Sequence, residues 1–517
     1  MCVKLIIFSV TFIFSRFFFA NPLPVFFDSP EYLSRLSNPS LLSALTSGHI
    51  PLHGGYIFSF WPIYQFANVF NLNLGITVIF FQTLLAILGL LSFYKVIEFI
   101  VNKNVAFISL LIMAILPLFW ISNVTIMMET TYLSYFFISL YFIARYLKSH
   151  NFLEIVLACL FYGFSFFTHI IVILWLPFIL YLVYVKKKGL VIRISVFLLL
   201  TIFIFSLISG TLVAIAGNIK PIEGLFQFFS DPLKAHANLE INLKSIFVIF
   251  RNFLIPLLIN NTGLIILISF IPLVTLFKKN RGLFIVSLLW IAPAFIANQW
   301  WDSLFFGRHA LIASFCFSFL AALLIYKRKL LLYLVFLYLA ITVLPAINLL
   351  RLPIPYLEVA KLAEKLPAGG IYIESHFARP QLTNKYHGTE IFIEEPNWNR
   401  NALTKQIDNA LGSNLPVFVT SQALSEPYGL YSGPYLHSLS LSYNKYYILK
   451  SILKKYSIKK YIFVDEANNL GVYRIYNSNT PNYPDLPKLK ISSKRLDYYD
   501  PISRLLFTTS KKLKLNF

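Results

Sequence analysis

Two carboxylates stand three residues apart in the segment 27–32 (FDSPEY). Ser29 followed by Pro30 is typical of a helix start, with serine as the cap and proline in the first turn. Asp28 would then precede the helix and Glu31 would lie in its first turn. Both acids could face a pocket, or they could be ordinary loop acids that the helix dipole favours.

Two histidines, His49 and His53, follow in the segment 47–56 (SGHIPLHGGY). The paired glycines and the proline predict a loop packed under the preceding helix and not a membrane span. A histidine can donate to a phosphate or a sugar hydroxyl, and it titrates near neutral pH. A zinc site would need a third ligand, and none stands nearby, so no metal is predicted at these histidines.

The composition decides what kind of molecule carries these residues. The 517-residue chain is 57% hydrophobic and 13% charged, against roughly 45–50% and 25% for soluble domains. A soluble protein could not bury that much apolar surface, since even large domains leave about a quarter of the chain's surface exposed. The composition excludes a cytosolic enzyme, a disordered chain and a disulfide scaffold. It predicts an α-helical polytopic membrane protein.

Hydropathy predicts eleven transmembrane helices, because a helix needs about 20 apolar residues to cross the hydrocarbon core. The predicted spans lie near residues 3–20, 74–94, 104–122, 130–147, 152–168, 170–185, 190–216, 262–277, 283–299, 309–325 and 330–350. The connection 217–261 holds a semi-apolar piece that could lie in the interface or form another crossing.

The basic residues predict the orientation. Short basic connections occur at Lys95/Lys103, Arg145/Lys148, Lys186–Lys188, Lys278/Arg281 and Lys327–Lys329. With an odd number of spans and the N-terminus inside, all five lie on the cytoplasmic side, as the positive-inside rule requires. The membrane domain's share of the net charge of +22 is therefore largely in the clusters that set the topology, and the C-terminal part adds a separate basic excess. Nucleic-acid binding is not predicted, because the basic residues lie at span ends and not on one face.

The C-terminal third is predicted to be a small α/β domain outside the cytoplasm. Its predicted strands are Gly370–Glu374, Pro416–Thr420, Tyr461–Asp465 and Gly471–Tyr476, and its predicted helices are Tyr356–Leu366, Ala402–Leu411 and Tyr447–Tyr456. The predicted domains are a transmembrane domain over 1–350 with an external loop at 21–73, the α/β domain over 351–477, and a basic, irregular, proline-containing tail over 478–517.

Four further polar residues fall on the predicted outer side. Glu129 has no neighbouring cation in the sequence, and an acid at a membrane boundary is a functional candidate, with a surface acid as the alternative. His169 marks a tight turn, where a hydrogen-bonded histidine at a helix end is the alternative. The guanidinium fork of Arg308 matches phosphate oxygens, and pairing with Asp302 is the alternative.

Acids, histidines and an arginine on one side of the bilayer indicate a site for a phosphorylated, membrane-borne substrate. The chain resembles the GT-C class of membrane glycosyltransferases, which includes protein O-mannosyltransferases and lipid A aminoarabinose transferases. The class pattern of an arginine, a proline, an acidic pair and a tyrosine corresponds to Arg16, Pro24, Asp28, Glu31 and Tyr32.

Two later segments extend the resemblance. A segment with histidine and proline corresponds to residues 50–56, and the glycine-arginine opening of a late span corresponds to Gly307-Arg308-His309. The departures are the Ser-Pro between the two acids, the Gly-Gly after His53, and a histidine in place of tyrosine at 309.

The resemblance implies a GT-C-like fold and a polyprenyl-phosphate sugar donor. The sugar would pass with inversion to a hydroxyl of a protein, lipid or cell-envelope glycan at the outer face of the plasma membrane. It implies Asp28 and Glu31 as catalytic residues, with Asp28 as the general base. It implies these substrate-binding residues: Tyr32, His49, His53, Glu129, His169, Asp302 and Arg308. No cofactor is certain, and a divalent metal stays open because some members of the class need one.

A transporter or a flippase for lipid-linked sugars is the main alternative function. Such proteins place ionisable residues or broken helices near the bilayer midplane. The middles of the predicted spans are nearly free of charge, which favours chemistry at the outer surface.

Overall fold

A computed structural model describes residues 2–21, 28–48, 52–236, 261–300, 311–348, 359, 361–374, 385–393, 400–424, 449–466 and 470–477. The described residues form two compact units, with the boundary between Ile347 and Asn348. The first unit is helical, and the second contains a small β-sheet.

The helices of the first unit begin with α1, the first predicted span, and three helices in the loop that follows it. They are α1 (Cys2–Phe18), α2 (Asp28–Leu36), α3 (Leu41–Thr46), α4 (Gly54–Val69), α5 (Leu74–Ile100), α6 (Lys103–Ile115), α7 (Pro117–Val124), α8 (Glu129–Ser149), α9 (Phe152–Thr168), α10 (Leu176–Lys187), α11 (Val191–Gly217), α12 (Pro221–His236), α13 (Gly263–Lys279), α14 (Arg281–Trp300), α15 (Leu311–Ile325) and α16 (Lys329–Asn348). A 3₁₀ turn, Ile170–Trp175, joins α9 to α10.

Within the described residues, two helical stretches are long and apolar enough to cross a membrane, Leu74–Ile100 and Ile170–Gly217. A third is added if α6 and α7 count as one bent span. Shorter apolar helices accompany them, and large apolar side chains such as Leu88 and Phe203 are more than half exposed. Exposed apolar helix faces suit contact with lipid, and the molecule is a membrane protein. The number of eleven spans stays a prediction.

The predicted span 104–122 is wrong as a single helix. It is divided into α6 and α7, which meet at an angle of 64°. Pro117 is the cause, because it lacks an N–H and its ring collides with the carbonyl four residues earlier in a continuous helix. At the N-terminus of α7 the same residue is favourable, because the first-turn N–H groups have no partner there.

The loop prediction for residues 47–56 is wrong at its end, since α4 begins at Gly54. The predicted cap is also wrong: the helix begins at Asp28, and Ser29 Oγ donates to the carbonyl of Ile126 at 2.8 Å. Gly54 and Gly55 are needed for packing and not for a turn. A Cβ on Gly55 would lie 2.7 Å from the carbonyl oxygen of Phe164, against helix α9.

An aromatic cluster forms the core where α5, α8, α14 and α15 meet. The rings of Phe137 and Phe315 are 4.1 Å apart, and those of Phe93 and Phe315 are 4.9 Å apart. Trp290 is fully buried, and its indole N–H donates to the carbonyl of Ile312 at 3.0 Å. The cluster explains how bulky aromatic residues hold these helices together, since such pairs are worth about 0.5–1.5 kcal/mol beyond area burial.

The second unit contains a five-stranded sheet of order β2-β1-β3-β5-β4. Its strands are β1 (Ile371–Glu374), β2 (Thr389–Phe392), β3 (Val417–Thr420), β4 (Ser457–Asp465) and β5 (Leu470–Tyr476). Strands β2, β1 and β3 are parallel, and β5 pairs antiparallel with both β3 and β4. Helix α17 (Arg400–Gly412) precedes β3, and Ser421–Leu424 forms a short helix after it. The small α/β domain is confirmed, although β2 was not predicted.

The carboxyl ends of β1 and β3 hold a buried acid. Glu374 is inaccessible to solvent; Thr420 Oγ1 donates to its Oε1 at 2.5 Å, and the Tyr372 hydroxyl donates to its Oε2 at 3.3 Å. Burial, and then the Glu374 charge, raise the pKa of the Tyr372 hydroxyl. These donors compensate the cost of burying a carboxylate.

Candidate functional site

The structure brings together four of the predicted site residues from distant parts of the chain. Tyr32 on α2, His53 before α4, Glu129 at the start of α8 and His169 after α9 are all buried. Asp28 opens α2, but its side chain lies outside the described residues, as do His49, Asp302 and Arg308.

Aromatic contacts join these residues into one cluster. The ring of Tyr32 lies 4.9 Å from that of Tyr56 and 6.0 Å from that of His53. The rings of His53 and His169 are 5.6 Å apart, and His169 lies 5.3 Å from Tyr132. We call these five residues and Glu129 the histidine–tyrosine cluster.

Backbone contacts orient both histidines. The Nδ1 of His53 is 3.0 Å from the carbonyl oxygen of Thr168, and the Nδ1 of His169 accepts from the N–H of Ile171 at 3.2 Å. His169 therefore ends α9 and caps the following 3₁₀ turn, as the alternative of a hydrogen-bonded histidine at a helix end predicted. The carbonyl of Thr168 and the N–H of Ile171 belong to the same short segment, so residues 168–171 hold both rings.

Glu129 lies in the first turn of α8 and is inaccessible to solvent. Burial, with the negative charge of Glu129 adding to it, raises the pKa of the Tyr56 hydroxyl. The Glu129 carboxyl group thus acts on the Tyr56 hydroxyl across the cluster. A surface acid, the alternative reading of Glu129, is excluded by its burial.

A buried arginine holds Glu31 and the segment before His53. The Arg35 guanidinium is 2% exposed and lies 3.7 Å from the Glu31 carboxylate. It donates to three carbonyls, those of Ala44 at 3.1 Å, Leu45 at 3.4 Å and Leu52 at 2.5 Å. Burial lowers the pKa of Arg35, while the charge of Glu31 opposes that shift. The backbone at Gly48 lies beside the side chains of Glu31 and Arg35 and has a φ of +106°. A Cβ at this position would collide with Glu31 Oε1.

Four residues at the site were not predicted from the sequence: Arg35, Tyr56, Gln82 and Tyr132. Gln82 is fully buried in α5, donates to the carbonyls of Ser122 at 2.6 Å and Thr125 at 2.9 Å, and accepts from the Tyr56 hydroxyl at 3.4 Å. A glutamine inside an apolar span was the available signal, since polar residues within the membrane usually have a specific partner. Tyr56 and Tyr132 could not be singled out from the sequence, because the chain contains 30 tyrosines.

Arg16, the first residue of the resemblance pattern, lies outside the histidine–tyrosine cluster. Its guanidinium is 3.7 Å from the centre of the Trp120 ring and 4.0 Å from that of Phe12, and it donates to the carbonyl of Ala114. Ala114 lies just before the end of α6, where carbonyls lose their helical partners. Arg16 therefore stabilises the break between α6 and α7.

The cluster suits the recognition of a polar ligand. It combines a carboxylate, two imidazoles and three phenols in an enclosed setting, where hydrogen bonds are stronger than in water. In the described part of the chain, no three His, Cys, Asp or Glu side chains come together as metal ligands would.

Comparison with known proteins gives a family match over part of the chain and matches to solved structures. The family described as dolichyl-phosphate-mannose-protein mannosyltransferase matches residues 55–213. No curated protein matches the chain. Among solved structures, ArnT from Cupriavidus metallidurans bound to undecaprenyl phosphate aligns with 10% identity over 94% of this chain and 99% of that chain, with a TM-score of 0.52. The oligosaccharyltransferase of Archaeoglobus fulgidus in the apo form aligns with 12% identity over 86% of this chain and 69% of that chain, with a TM-score of 0.46.

The family match and the fold shared with ArnT support a membrane glycosyltransferase of the GT-C class. The resemblance predicted from the sequence is confirmed at this level. The matched segment 55–213 includes Tyr56, Glu129, Tyr132 and His169, so it covers most of the histidine–tyrosine cluster.

Proposed function

We propose that the protein transfers a sugar from a polyprenyl-phosphate donor to an acceptor hydroxyl, with inversion, at the outer face of the membrane. The observation that carries the proposal is the histidine–tyrosine cluster, which lies where α2, α4, α8 and α9 meet. Its residue Tyr32 directly follows Glu31 in the sequence of α2. The family match supports sugar transfer, and the undecaprenyl phosphate bound to ArnT supports a lipid-phosphate donor.

In this proposal Asp28 is the general base for the acceptor hydroxyl, and Glu31 holds a hydroxyl of the sugar or acceptor. A carboxylate is a weak base at neutral pH, so partial desolvation at the membrane edge would strengthen it. Arg35 contributes by fixing Glu31. Its three carbonyl contacts and the ion pair restrict the Glu31 carboxylate to one side of α2.

The other predicted residues bind the donor. Tyr32, His53, Glu129 and His169 lie together in the cluster, while His49, Asp302 and Arg308 are assigned from the sequence alone. Arg308 would hold the phosphate, since its donors match phosphate oxygens in pairs and stabilise the charge that develops on the leaving group. The acceptor is a protein, lipid or cell-envelope glycan, and the proposed location is the plasma membrane with the N-terminus inside and the α/β domain outside.

A transporter or lipid flippase is the second candidate, and the broken span α6–α7 favours it, because broken helices line substrate sites in transporters. The deciding experiment incubates the purified protein with radiolabelled polyprenyl-phosphate sugars and candidate acceptors, followed by mass analysis of the labelled products. Cleavage of the sugar–phosphate bond with a labelled acceptor supports transfer. Movement of intact lipid across reconstituted vesicles without cleavage overturns it.

Asp28→Asn should abolish transfer, by at least about 100-fold as for loss of a general base, and leave membrane insertion intact. Glu98→Gln is the matched control, because Glu98 pairs with Lys95 at 2.8 Å on the predicted cytoplasmic side. Turnover of the Asp28→Asn variant at the wild-type rate would remove Asp28 from the role of base.

Arg308→Ala should raise the KM for the lipid donor with little change in the KM for the acceptor. The loss of a charge-assisted phosphate contact predicts at least a tenfold effect. Arg281→Ala, an exposed arginine at the start of α14, is the control. Unchanged dependence on donor concentration would exclude Arg308 from the phosphate site.

A further inference from the structure

Four lysines come together where α8 and α10 end. Lys148 lies in the last turn of α8, Lys186 and Lys187 lie in the last turn of α10, and Lys188 directly follows them. All four are exposed, and we call them the lysine cluster. They belong to two of the basic connections that predict the topology. The positive-inside rule counts the basic residues of each loop and does not require two loops to place them side by side.

Contacts with neighbouring rings hold the lysines close to one another. The Nζ atoms of Lys148 and Lys186 lie 5.2 Å and 4.9 Å from the centre of the Phe99 ring, near the end of α5. The two ammonium groups are therefore no more than about 10 Å apart, which is comparable to the Debye length at about 0.1 M salt. Lys187 Nζ lies 2.7 Å from Nε2 of His150, which directly follows α8. Like charges at these separations repel one another.

The acids near the lysine cluster are paired with other cations. Glu98 contacts Lys95 at 2.8 Å, and Glu154 contacts Arg145 at 2.7 Å. In the part of the chain that the structure describes, no carboxylate forms an ion pair with a member of the lysine cluster. Acidic side chains of the described residues therefore leave its charge uncompensated.

The ends of the helices compensate only part of this charge. Lys186 Nζ donates to the carbonyls of Phe99 at 3.3 Å and Ile100 at 3.2 Å, and so caps the C-terminus of α5. Lys148 and Lys187 lie where a cation interacts favourably with the dipole of its own helix. A helix C-terminus amounts to roughly half a negative charge, so the ends of α5, α8 and α10 offset fewer than about two of the four positive charges.

We infer that the lysine cluster binds the phosphate headgroup of an anionic phospholipid. Lysines at the ends of apolar helices place their ammonium groups at the level of the lipid headgroups, because the long side chain extends along apolar surface. A phosphodiester supplies a negative charge and oxygens that accept charge-assisted hydrogen bonds from more than one lysine. Basic groups between transmembrane helices are typical sites for anionic headgroups.

Exposed apolar side chains beside the cluster favour a lipid over free phosphate. They are Phe152 and Leu153 at the start of α9, Val185 directly before the lysines of α10, and Ile192 at the start of α11. Acyl chains can cover these residues while the headgroup lies on the lysines. Free phosphate would gain nothing from the apolar side chains.

The inferred lipid site is separate from the proposed site of sugar transfer. Helix α8 begins at Glu129, in the histidine–tyrosine cluster, and ends at Ser149, beside the lysine cluster. At 1.5 Å per residue, the two ends of this helix are about 30 Å apart. The inference therefore goes beyond the proposed function and does not depend on it.

The test compares two pairs of exposed lysines. Lys148→Gln/Lys187→Gln removes two charges from the cluster and leaves Lys186 on the carbonyls of α5. The matched control is Lys278→Gln/Lys279→Gln, in the last turn of α13, since this pair is also exposed and removes the same charge. Native mass spectrometry of the detergent-purified full chain gives apparent dissociation constants for phosphatidylglycerol and phosphatidylcholine, with inorganic phosphate as a competitor.

We expect the wild type to bind phosphatidylglycerol more tightly than phosphatidylcholine. Each lysine near a membrane surface contributes about fivefold, so Lys148→Gln/Lys187→Gln should weaken phosphatidylglycerol about 25-fold and the α13 control should weaken it little. Lys148→Arg/Lys187→Arg should bind like the wild type, because arginine keeps the charge and binds phosphate. The single glutamine variants should each lose about fivefold, which keeps the test decisive if the double variant is unstable.

Three results would overturn the inference. Equal affinity of the wild type for the two lipids would show that the headgroup charge is not recognised. An equal loss in the α13 control would show general attraction of cations for anionic lipid and no site at the lysine cluster. Complete competition by inorganic phosphate at the concentration of the lipid would assign the cluster to free phosphate.

Discussion

The contact between α4 and α9 can be tested at Gly55. A Cβ at this position would lie 2.7 Å from the carbonyl oxygen of Phe164 and 2.8 Å from the backbone nitrogen of Thr168, and would collide with Thr168 Oγ1. Ordinary contacts of a carbon atom are about 3.5 Å, so Gly55→Ala must separate the two helices by roughly 1 Å. Because two of the three atoms are backbone, a side-chain rotation cannot relieve the collision.

Separating α4 from α9 would also disturb the histidine–tyrosine cluster, because His53 lies just before α4 and contacts the end of α9. The contact from His53 Nδ1 to the carbonyl of Thr168 measures 3.0 Å, and a shift of 1 Å lengthens it to about 4 Å, beyond hydrogen bonding. We expect Gly55→Ala to cost about 1–3 kcal/mol of stability, the usual cost of overpacking. Donor-dependent transfer should fall about 100-fold, because misplacement by 1 Å has effects of that size.

The assay compares melting temperature and transfer rate for Gly55→Ala and for Gly189→Ala, where no atom lies within 4 Å of the added Cβ. Thr168→Ala in the Gly55→Ala background removes Oγ1 but leaves both backbone collisions, so it should restore little activity. A Gly55→Ala protein with wild-type melting temperature and transfer rate would refute the close approach of α4 to α9 and, with it, the backbone support of His53.

Two further substitutions test the polar networks of the two units. Arg35→Met removes a charged donor from three buried carbonyls, so we expect a loss of about 2–4 kcal/mol, seen as a lower melting temperature, together with weaker transfer. Arg35→Lys should not restore either, since a point charge cannot reach the separate acceptors; full activity of the lysine variant would contradict this geometry. Thr420→Val takes a donor from the buried Glu374 and should cost about 1–3 kcal/mol in thermal unfolding, with Thr420→Ser as the control that retains the hydroxyl. Equal melting temperatures for the valine and serine variants would show that the contact contributes nothing.

The sequence predicted the long apolar helices well, because their signal extends over many residues. Helix α9 was expected at 152–168 and is Phe152–Thr168. Helix α4 was missed because a pair of glycines indicates a loop from local propensity, whereas here it permits contact with a helix far along the chain. Strand β2 was missed because it has four residues, of which only the last two are buried.

Residues of the candidate site could be predicted where they belong to residue types that are rare in this chain. Glu129, His53 and His169 stand out in a chain with 22 acids and 9 histidines, and the structure brings them together. Arg35 was not distinguishable from the other basic residues, because its role depends on three carbonyls contributed by the segment before His53. Tyr56 and Tyr132 are distinguished only by their neighbours in space.

The C-terminal end of α7 links the spans to the site. Helix α7 ends at Val124, and the last carbonyls of a helix have no partner within it. The carbonyls of Ser122, Thr125 and Ile126 accept from side chains instead. Two of them hold Gln82, which in turn accepts from the hydroxyl of Tyr56, and the third holds Ser29, the neighbour of Asp28. Irregular backbone at membrane depth is tolerated only where protein or a polar cavity surrounds it. The end of α7 therefore supplies acceptors that fix both α2 and α4, which explains how the proposed base and Tyr56 can be held in place with few charges in the surrounding helices.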